Sequence, residues 1–406
     1  MQRLLRILTT SFLLGLTAAC GGDDNQSVTT TASAPTTAAA AIATTSTTST
    51  TTTTTTEPAP DPALAVDEYA EPGPFPVAVT TLQLAKGPLV EVWYPAVAGT
   101  AGTISYDVRD FVPEALRNVL TGDVPATFSI DAGRDAGVAE HDGEGFPVVL
   151  FSHGFTGMRL QSSFLTSHLA SWGFVVASPD HPSRDLMNVL GGTASGDRAD
   201  SVDDLLATLD LLTAADADPS SPLGDALDLD SVAAVGHSAG GGTVLGAAAD
   251  PRIDGYVSLA SGAFENELPT RPSFFMAGSV DAVVTVAERT RPAFEAAPAP
   301  SLLWVIEGAG HNAFDDFCTF GNGTGIIGVA EASGLGALLD AQPQLRTLGE
   351  DGCVPPAVPV TVTFPLINHG VTSWLRHLFG LDPEALGLGS AVSGAYGVEV
   401  EVLGTP

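Results

Sequence analysis

Basic residues are scarce in this chain. Lys86 is its only lysine, and 15 Lys and Arg stand against 47 Asp and Glu over 406 residues, a formal net charge of −32. Nucleic-acid binding draws on many Lys and Arg to neutralise phosphates, so nucleic acid is excluded as a partner. The acidity is read as a solubility feature and names no substrate. Cysteine is scarce too, limited to Cys20, Cys318 and Cys353. None stands at metal-ligand spacing from another, so no metal site and no cofactor are expected. No internal repeat is found.

The ends of the chain are unlike a folded domain. Residues 1–19, "MQRLLRILTTSFLLGLTAA", combine Arg3 and Arg6 with an apolar stretch and small residues. This is the pattern of a secretory signal, too short for a membrane span. Cys20 follows in "LTAACGGDD", like the lipidated cysteine of a bacterial lipobox, although Thr17 stands where leucine is usual. Lipidation at Cys20 is expected, with plain secretion as the alternative. Residues 20–63 are a Thr/Ala-rich linker that includes the unbroken run Thr50–Thr56. Such a segment cannot bury enough apolar surface to offset chain entropy and is expected to be disordered. It reads as a stalk that holds a domain away from the membrane.

Residues 64–383 are long enough for a sizeable core. Apolar, β-rich runs alternate there with helical stretches, which predicts a mainly parallel sheet covered by helices on both faces. "VAVTTLQL" (77–84) and "LVEVWYP" (89–95) predict an opening hairpin. Further strands are predicted over 146–154, 174–180, 231–238, 253–261, 272–279 and 301–308. Helices are predicted over 162–173, 200–215 and 370–381. Residues 384–406 read as a free tail or an edge strand.

"AAVGHSAGGG" (233–242) places Ser238 among small residues, between a predicted strand and a predicted helix. That is the context of the nucleophile elbow, G-x-S-x-G, whose sharp turn tolerates little side chain. A serine hydroxyl needs a base, and the base an orienting carboxylate, in the chain order Ser, Asp or Glu, His on this scaffold. Asp281 follows the strand "PSFFMAGS", and His311 follows the strand "SLLWVIEG". Both fall at carboxyl ends of strands, where open α/β sheets carry their sites. His181, in "PDHPSRD", is the rival base but precedes Ser238. Asp315 and Asp316 read as shaping the loop after His311, and His168, His369 and His377 as structural or surface residues. His237 lines the cleft or bonds beneath it. Backbone N–H groups of Phe155, in "SHGFTG", and Ala239 are expected to form the oxyanion hole. Cys318 and Cys353, an even pair in an exported protein, are expected to form a disulfide worth roughly 3–4 kcal/mol of chain entropy. The stretch between them is Gly-rich and poor in core-forming aromatics; untied, it would be loose and let His311 wander.

Several segments together resemble the bacterial platelet-activating factor acetylhydrolase-like esterases. They are "VWYP", "FPVVLFSHGF", "GFVVASPDH", "GHSAGGG", "GAGHNAFDDF" followed by "GIIG", and the closing "TSWLRHLFGL". The likeness runs in order over roughly residues 66–382, and the H-x-x-F-x-D-F cluster around His311 is its most particular element. Cutinase-type polyester hydrolases are similar over the elbow and the "SHGF" segment. The Cys318–Cys353 segment departs from the pattern as an insertion. The resemblance implies an α/β-hydrolase fold and hydrolysis of short-acyl esters, such as the acetyl group of a phospholipid or a small aryl ester. A monomer touching the membrane only through Cys20 is expected. A polyester hydrolase or lipase, and a non-catalytic surface binding module, are the alternatives.

Overall fold

The computed structural model describes residues 61–406 except 119, 121–124, 142 and 263–267. The signal pattern, Cys20 and the Thr-rich run lie outside the described residues.

A ten-stranded sheet organises the body, in the order β12-β11-β10-β9-β8-β6-β7-β2-β1-β5. Its strands are β1 (Val77–Gln83), β2 (Leu89–Pro95), β5 (Gly133–Arg134), β6 (Phe146–Ser152), β7 (Val175–Pro179), β8 (Leu227–His237), β9 (Gly255–Leu259), β10 (Ser273–Gly278), β11 (Ser301–Ile306) and β12 (Val400–Thr405). Strands β7, β6, β8, β9, β10 and β11 are mutually parallel. The opening hairpin β1–β2 joins β7 antiparallel, and β12 closes the other edge antiparallel to β11. A separate hairpin pairs β3 (Ile104–Asp107) with β4 (Thr127–Ile130).

The strands are apolar at nearly every position because both faces are covered. On β6, Val149 and Phe151 enter one core layer while Val148 and Leu150 enter the other. The first layer is closed by helices α1 (Ser163–Ser171) and α8 (Val360–Leu378), and the second by α3 (Arg198–Asp216) and α4 (Ala239–Ala247). Leu205, Leu209 and Leu212 form the buried stripe of α3, as their spacing predicts. A capping box starts that helix: Asp197 accepts from Ala199 and Asp200, and Asp200 accepts from the Asp197 N–H.

Two regions depart from the sequence reading. Helix α8 begins at Val360, ten residues before the predicted start, and runs through Pro365 and Gly370. Both residues look like helix breakers in sequence. At Gly370 the helix lies so close to the sheet that a Cβ would sit 2.5 Å from the Trp304 ring, so packing calls for glycine. The Gly-rich stretch before Cys353 is largely helical, in α5 (Gly325–Ala330), α6 (Gly336–Ala341) and α7 (Pro343–Glu350). Most of its glycines punctuate the turns, and the short helices bury Ile327, Val329 and Leu339.

Candidate active site

The chain leaves β6 toward β7 on one side and later leaves β8 toward β9 on the other, so the order reverses between β6 and β8. Ligands of open α/β sheets bind at that reversal. The loop after β6 and the turn after β8 therefore meet there.

That turn is tight. Ser238 has φ 57° and ψ −120°, a conformation rare for a residue with a side chain, and α4 starts at the next residue. A Cβ on Gly240 would lie 1.9 Å from the Ser152 carbonyl oxygen, and one on Gly236 2.3 Å from that of Gly240. The small residues are thus a packing requirement. They let the serine stand at an apex, half-buried, with the Ala239 N–H among the first of α4 that lack an intrahelical acceptor.

The structure brings Ser238, His311 and Asp281 together. Ser238 Oγ lies 2.9 Å from His311 Nε2, and His311 Nδ1 lies 2.9 Å from Asp281 Oδ2. Asp281 Oδ1 also accepts the N–H groups of Val283 and Val284, which fixes the carboxylate. Burial works against charge on His311, but the hydrogen bond and charge of Asp281, with the charges of Asp315 and Asp351, raise its pKa above the ordinary value of 6.5. Carboxylate, imidazole and hydroxyl stand in the order that draws a proton off the hydroxyl.

The loop after β6 runs against the serine: a Cβ on Gly154 would lie 3.2 Å from Ser238 Cβ. Phe155 comes next on this loop. Buried Arg184 holds the loop from below, donating to the His153 carbonyl, Ser152 Oγ and Thr243 Oγ1, while its own carbonyl accepts the Thr156 N–H.

His181 is elsewhere engaged. Its Nε2 meets Ser152 Oγ at 2.9 Å and its Nδ1 meets Asp204 Oδ2 at 3.0 Å. This second Ser–His–Asp array is wholly buried, and Arg184 also donates to its serine. No carbonyl from solvent reaches it. Burial holds His153, His181 and His237 well below the ordinary imidazole value, disfavouring their cationic forms.

Two residues that sequence reasoning left without a role, Gln161 and Asp351, connect the loops together with His237 and Asp315. Gln161 Oε1 accepts the Gly154 N–H at 2.7 Å, while its Nε2 donates to Asp315 Oδ2 at 2.8 Å and to His237 Nδ1 at 3.2 Å. His237 Nε2 then donates to the His311 carbonyl, so its hydrogen bond lies beneath the cleft. Asp315 Oδ1 takes the Phe317 N–H, shaping the loop, and burial pushes its carboxyl up to about 7. Asp351 accepts the His311 N–H through Oδ1 and the Ala282 N–H through Oδ2, and its carbonyl accepts from Asn312. Two residues further on, Cys353 is bonded to Cys318. Only the "HNAFDDF" cluster hinted at Asp315; Gln161 and Asp351 carry no motif. Among the described residues, no group of three or more His, Cys, Asp or Glu is arranged to hold a metal ion.

Fold and site together define an α/β-hydrolase fold with a Ser–His–Asp array at its switch point. More particularly, residues 139–330 match a family model described as "PETase: PET hydrolase-like". No curated protein matches the chain. Among solved structures, a ferulic acid esterase from Streptomyces cinnamoneus is similar, with a TM-score of 0.60 and 22% identity over 82% of this chain and 98% of its own. At that identity the likeness speaks for the fold.

Proposed function

We propose that the protein is an exported serine carboxylesterase acting on short-acyl esters. The observation that carries the reading is the unbroken contact from Ser238 Oγ through His311 to Asp281. Ser238 attacks the ester carbonyl as His311 Nε2 takes its proton. Asp281 holds the imidazole in the Nδ1–H tautomer and stabilises its cation. The N–H groups of Phe155 and Ala239 are assigned to the tetrahedral oxyanion, each worth about 3–4 kcal/mol in the transition state. His311 returns the proton to the leaving alcohol, and the carbon–oxygen ester bond breaks. A water that gives its proton to His311 then releases the acid and restores Ser238. The signal pattern, Cys20 and the disulfide support export, with lipidation of Cys20 as the anchor.

Polyester hydrolysis is the second reading, and two observations favour it. One is the family match over 139–330. The other is a set of exposed apolar side chains on the loops that carry the site residues: Phe155, Val280 and Val283. An apolar rim of this kind suits a substrate presented as a surface.

A fluorophosphonate probe together with p-nitrophenyl esters, an acetylated phospholipid and a polyester film tests these readings. Labelling and turnover in the native protein, both absent in Ser238→Ala, are expected. A native chain that neither labels nor hydrolyses any of the three substrates would leave only a binding module. Release of soluble acid from the film exceeding turnover of the small esters would select the second reading.

A further inference from the structure

Gln161 lies buried just before α1, and its side-chain amide meets three separate segments of the site. Oε1 accepts the Gly154 N–H at 2.7 Å, on the loop after β6 that carries Phe155. Nε2 donates to His237 Nδ1 at 3.2 Å, and His237 immediately precedes Ser238. Nε2 also donates to Asp315 Oδ2 at 2.8 Å, on the loop that follows His311. The Gln161 backbone carbonyl accepts the Asp316 N–H from that same loop.

The partners force the direction of the amide. A backbone N–H can only donate, so the atom facing Gly154 is the oxygen. The His311 carbonyl can only accept, so His237 Nε2 carries a hydrogen there. Burial disfavours a second proton on that ring, which leaves a lone pair on Nδ1. Asp315 presents a carboxyl oxygen. Both Nε2 hydrogens and the Oε1 acceptor are therefore used, and a flipped amide would set nitrogen against the Gly154 N–H.

Gly154 is where the contact bears on chemistry. Its carbonyl accepts from His153 Nδ1 at 2.8 Å and from the Gly157 N–H at 3.2 Å. Glycine has the widest torsional freedom of any residue, yet both peptide planes of Gly154 are held, one through its N–H and one through its carbonyl. A trans peptide is planar, so the Gly154 carbonyl fixes the line of the Phe155 N–H, which points the opposite way. Releasing the Gly154 N–H would free the rotation that carries the Phe155 N–H.

We infer that Gln161 is a positioning residue, whose amide holds the loop after β6, the turn at Ser238 and the loop after His311 in one register. The inference rests on the serine-esterase reading above, in which Phe155 supplies an oxyanion donor and His311 the base. It deepens that reading by naming the side chain that sets the donor against the base. Gln161 acts through Gly154, His237 and Asp315 rather than on the ester. The oxyanion forms only on the way to the tetrahedral intermediate, so a lost register weakens transition-state binding more than substrate binding.

The test is Gln161→Met in the full chain, which keeps the length of the side chain and removes its three hydrogen bonds. Turnover of a p-nitrophenyl ester is divided by the number of sites that a fluorophosphonate labels at completion, so unfolded chains do not count. Per labelled site, kcat should fall about tenfold or more while KM stays within about threefold. Affinity for a trifluoromethyl ketone, which forms a tetrahedral oxyanion adduct on a serine, should fall in parallel with kcat/KM. Asp315→Ala and the double variant read the other end of the contact, at a pH where His311 is neutral in every protein compared. Because the two residues act as a unit, the double variant should lose no more kcat than the larger single loss. Normalised kcat and ketone affinity within about twofold of native, with only the melting temperature lowered, would make Gln161 structural and overturn the inference. Losses that multiply in the double variant, or a loss confined to KM, overturn it as well. A native chain that neither labels nor turns over refutes instead the esterase reading on which the inference stands.

Discussion

Asp351 grips the backbone of His311: its Oδ1 accepts the His311 N–H at 2.6 Å, while its Oδ2 accepts the Ala282 N–H at 3.0 Å. One carboxylate thus spans the loops that carry the proposed base and its orienting acid. Its charge also helps to raise the His311 pKa. A misplacement of about 1 Å at such a site costs on the order of a hundredfold. Asp351→Ala should therefore lower kcat by roughly ten- to a hundredfold with little change in KM. It should also move the acid limb of the pH profile downward. Steady-state kinetics across pH would show both, and a variant with native kcat would remove Asp351 from this role.

The pH dependence of the native protein follows from His311. Only its neutral imidazole can take the Ser238 proton, and its pKa stands above 6.5 because Asp281, Asp315 and Asp351 outweigh the opposing effect of burial. Activity should fall as pH drops through that raised value. The midpoint of the acid limb in kcat/KM should thus lie above 6.5. A midpoint near 5 would mean that the charges around His311 do not act as the geometry indicates.

The disulfide joins residues 35 apart in sequence, and Cys353 lies two residues beyond Asp351. Chain entropy alone assigns it roughly 3–4 kcal/mol. Its position adds a second consequence: releasing Cys353 loosens the segment that holds His311. Reduction, or Cys353→Ser, should lower the melting temperature and kcat together. If the variant melts early yet turns over normally well below its melting point, the bond serves stability alone.

His181 and His311 should respond in opposite ways to truncation. His311→Ala should fold normally and lose turnover by as much as about a millionfold, as a serine hydrolase does without its base. His181→Ala leaves Ser152 and Asp204 without their buried partner, at a cost of about 2–4 kcal/mol. Its remaining folded fraction should retain most activity. Denaturant titration beside ester kinetics separates the two outcomes, and the reverse pattern would make His181 the base.

Much of this arrangement follows from local sequence. Alternating apolar runs set the parallel sheet, because strands covered on both faces need nearly every side chain apolar. The tight turn at Ser238 is written in Gly236 and Gly240, since only glycine fits within 1.9 Å of the Ser152 carbonyl at the latter. Asp281 and His311 were readable because each follows a strand end, and strand order on this scaffold carries catalytic order. Pro365 and Gly370 look like helix breakers in sequence, yet the helix runs through both, and at Gly370 the close approach to Trp304 calls for glycine.

Tertiary structure alone decided what connects these parts. Gln161 joins the loop after β6 to Asp315, 154 residues away, and Asp351 reaches Ala282 across 69 residues. A polar side chain with no local pattern does not announce a partner so distant, because the bond exists only once the sheet has brought the loops together. The same holds for an apolar cavity under the insertion. Its walls come from α2 (Leu186–Gly191) and from α5 to α7, and each looks like an ordinary amphipathic or Gly-punctuated stretch on its own. Composition dictates that those side chains leave water; only packing dictates where they fail to meet.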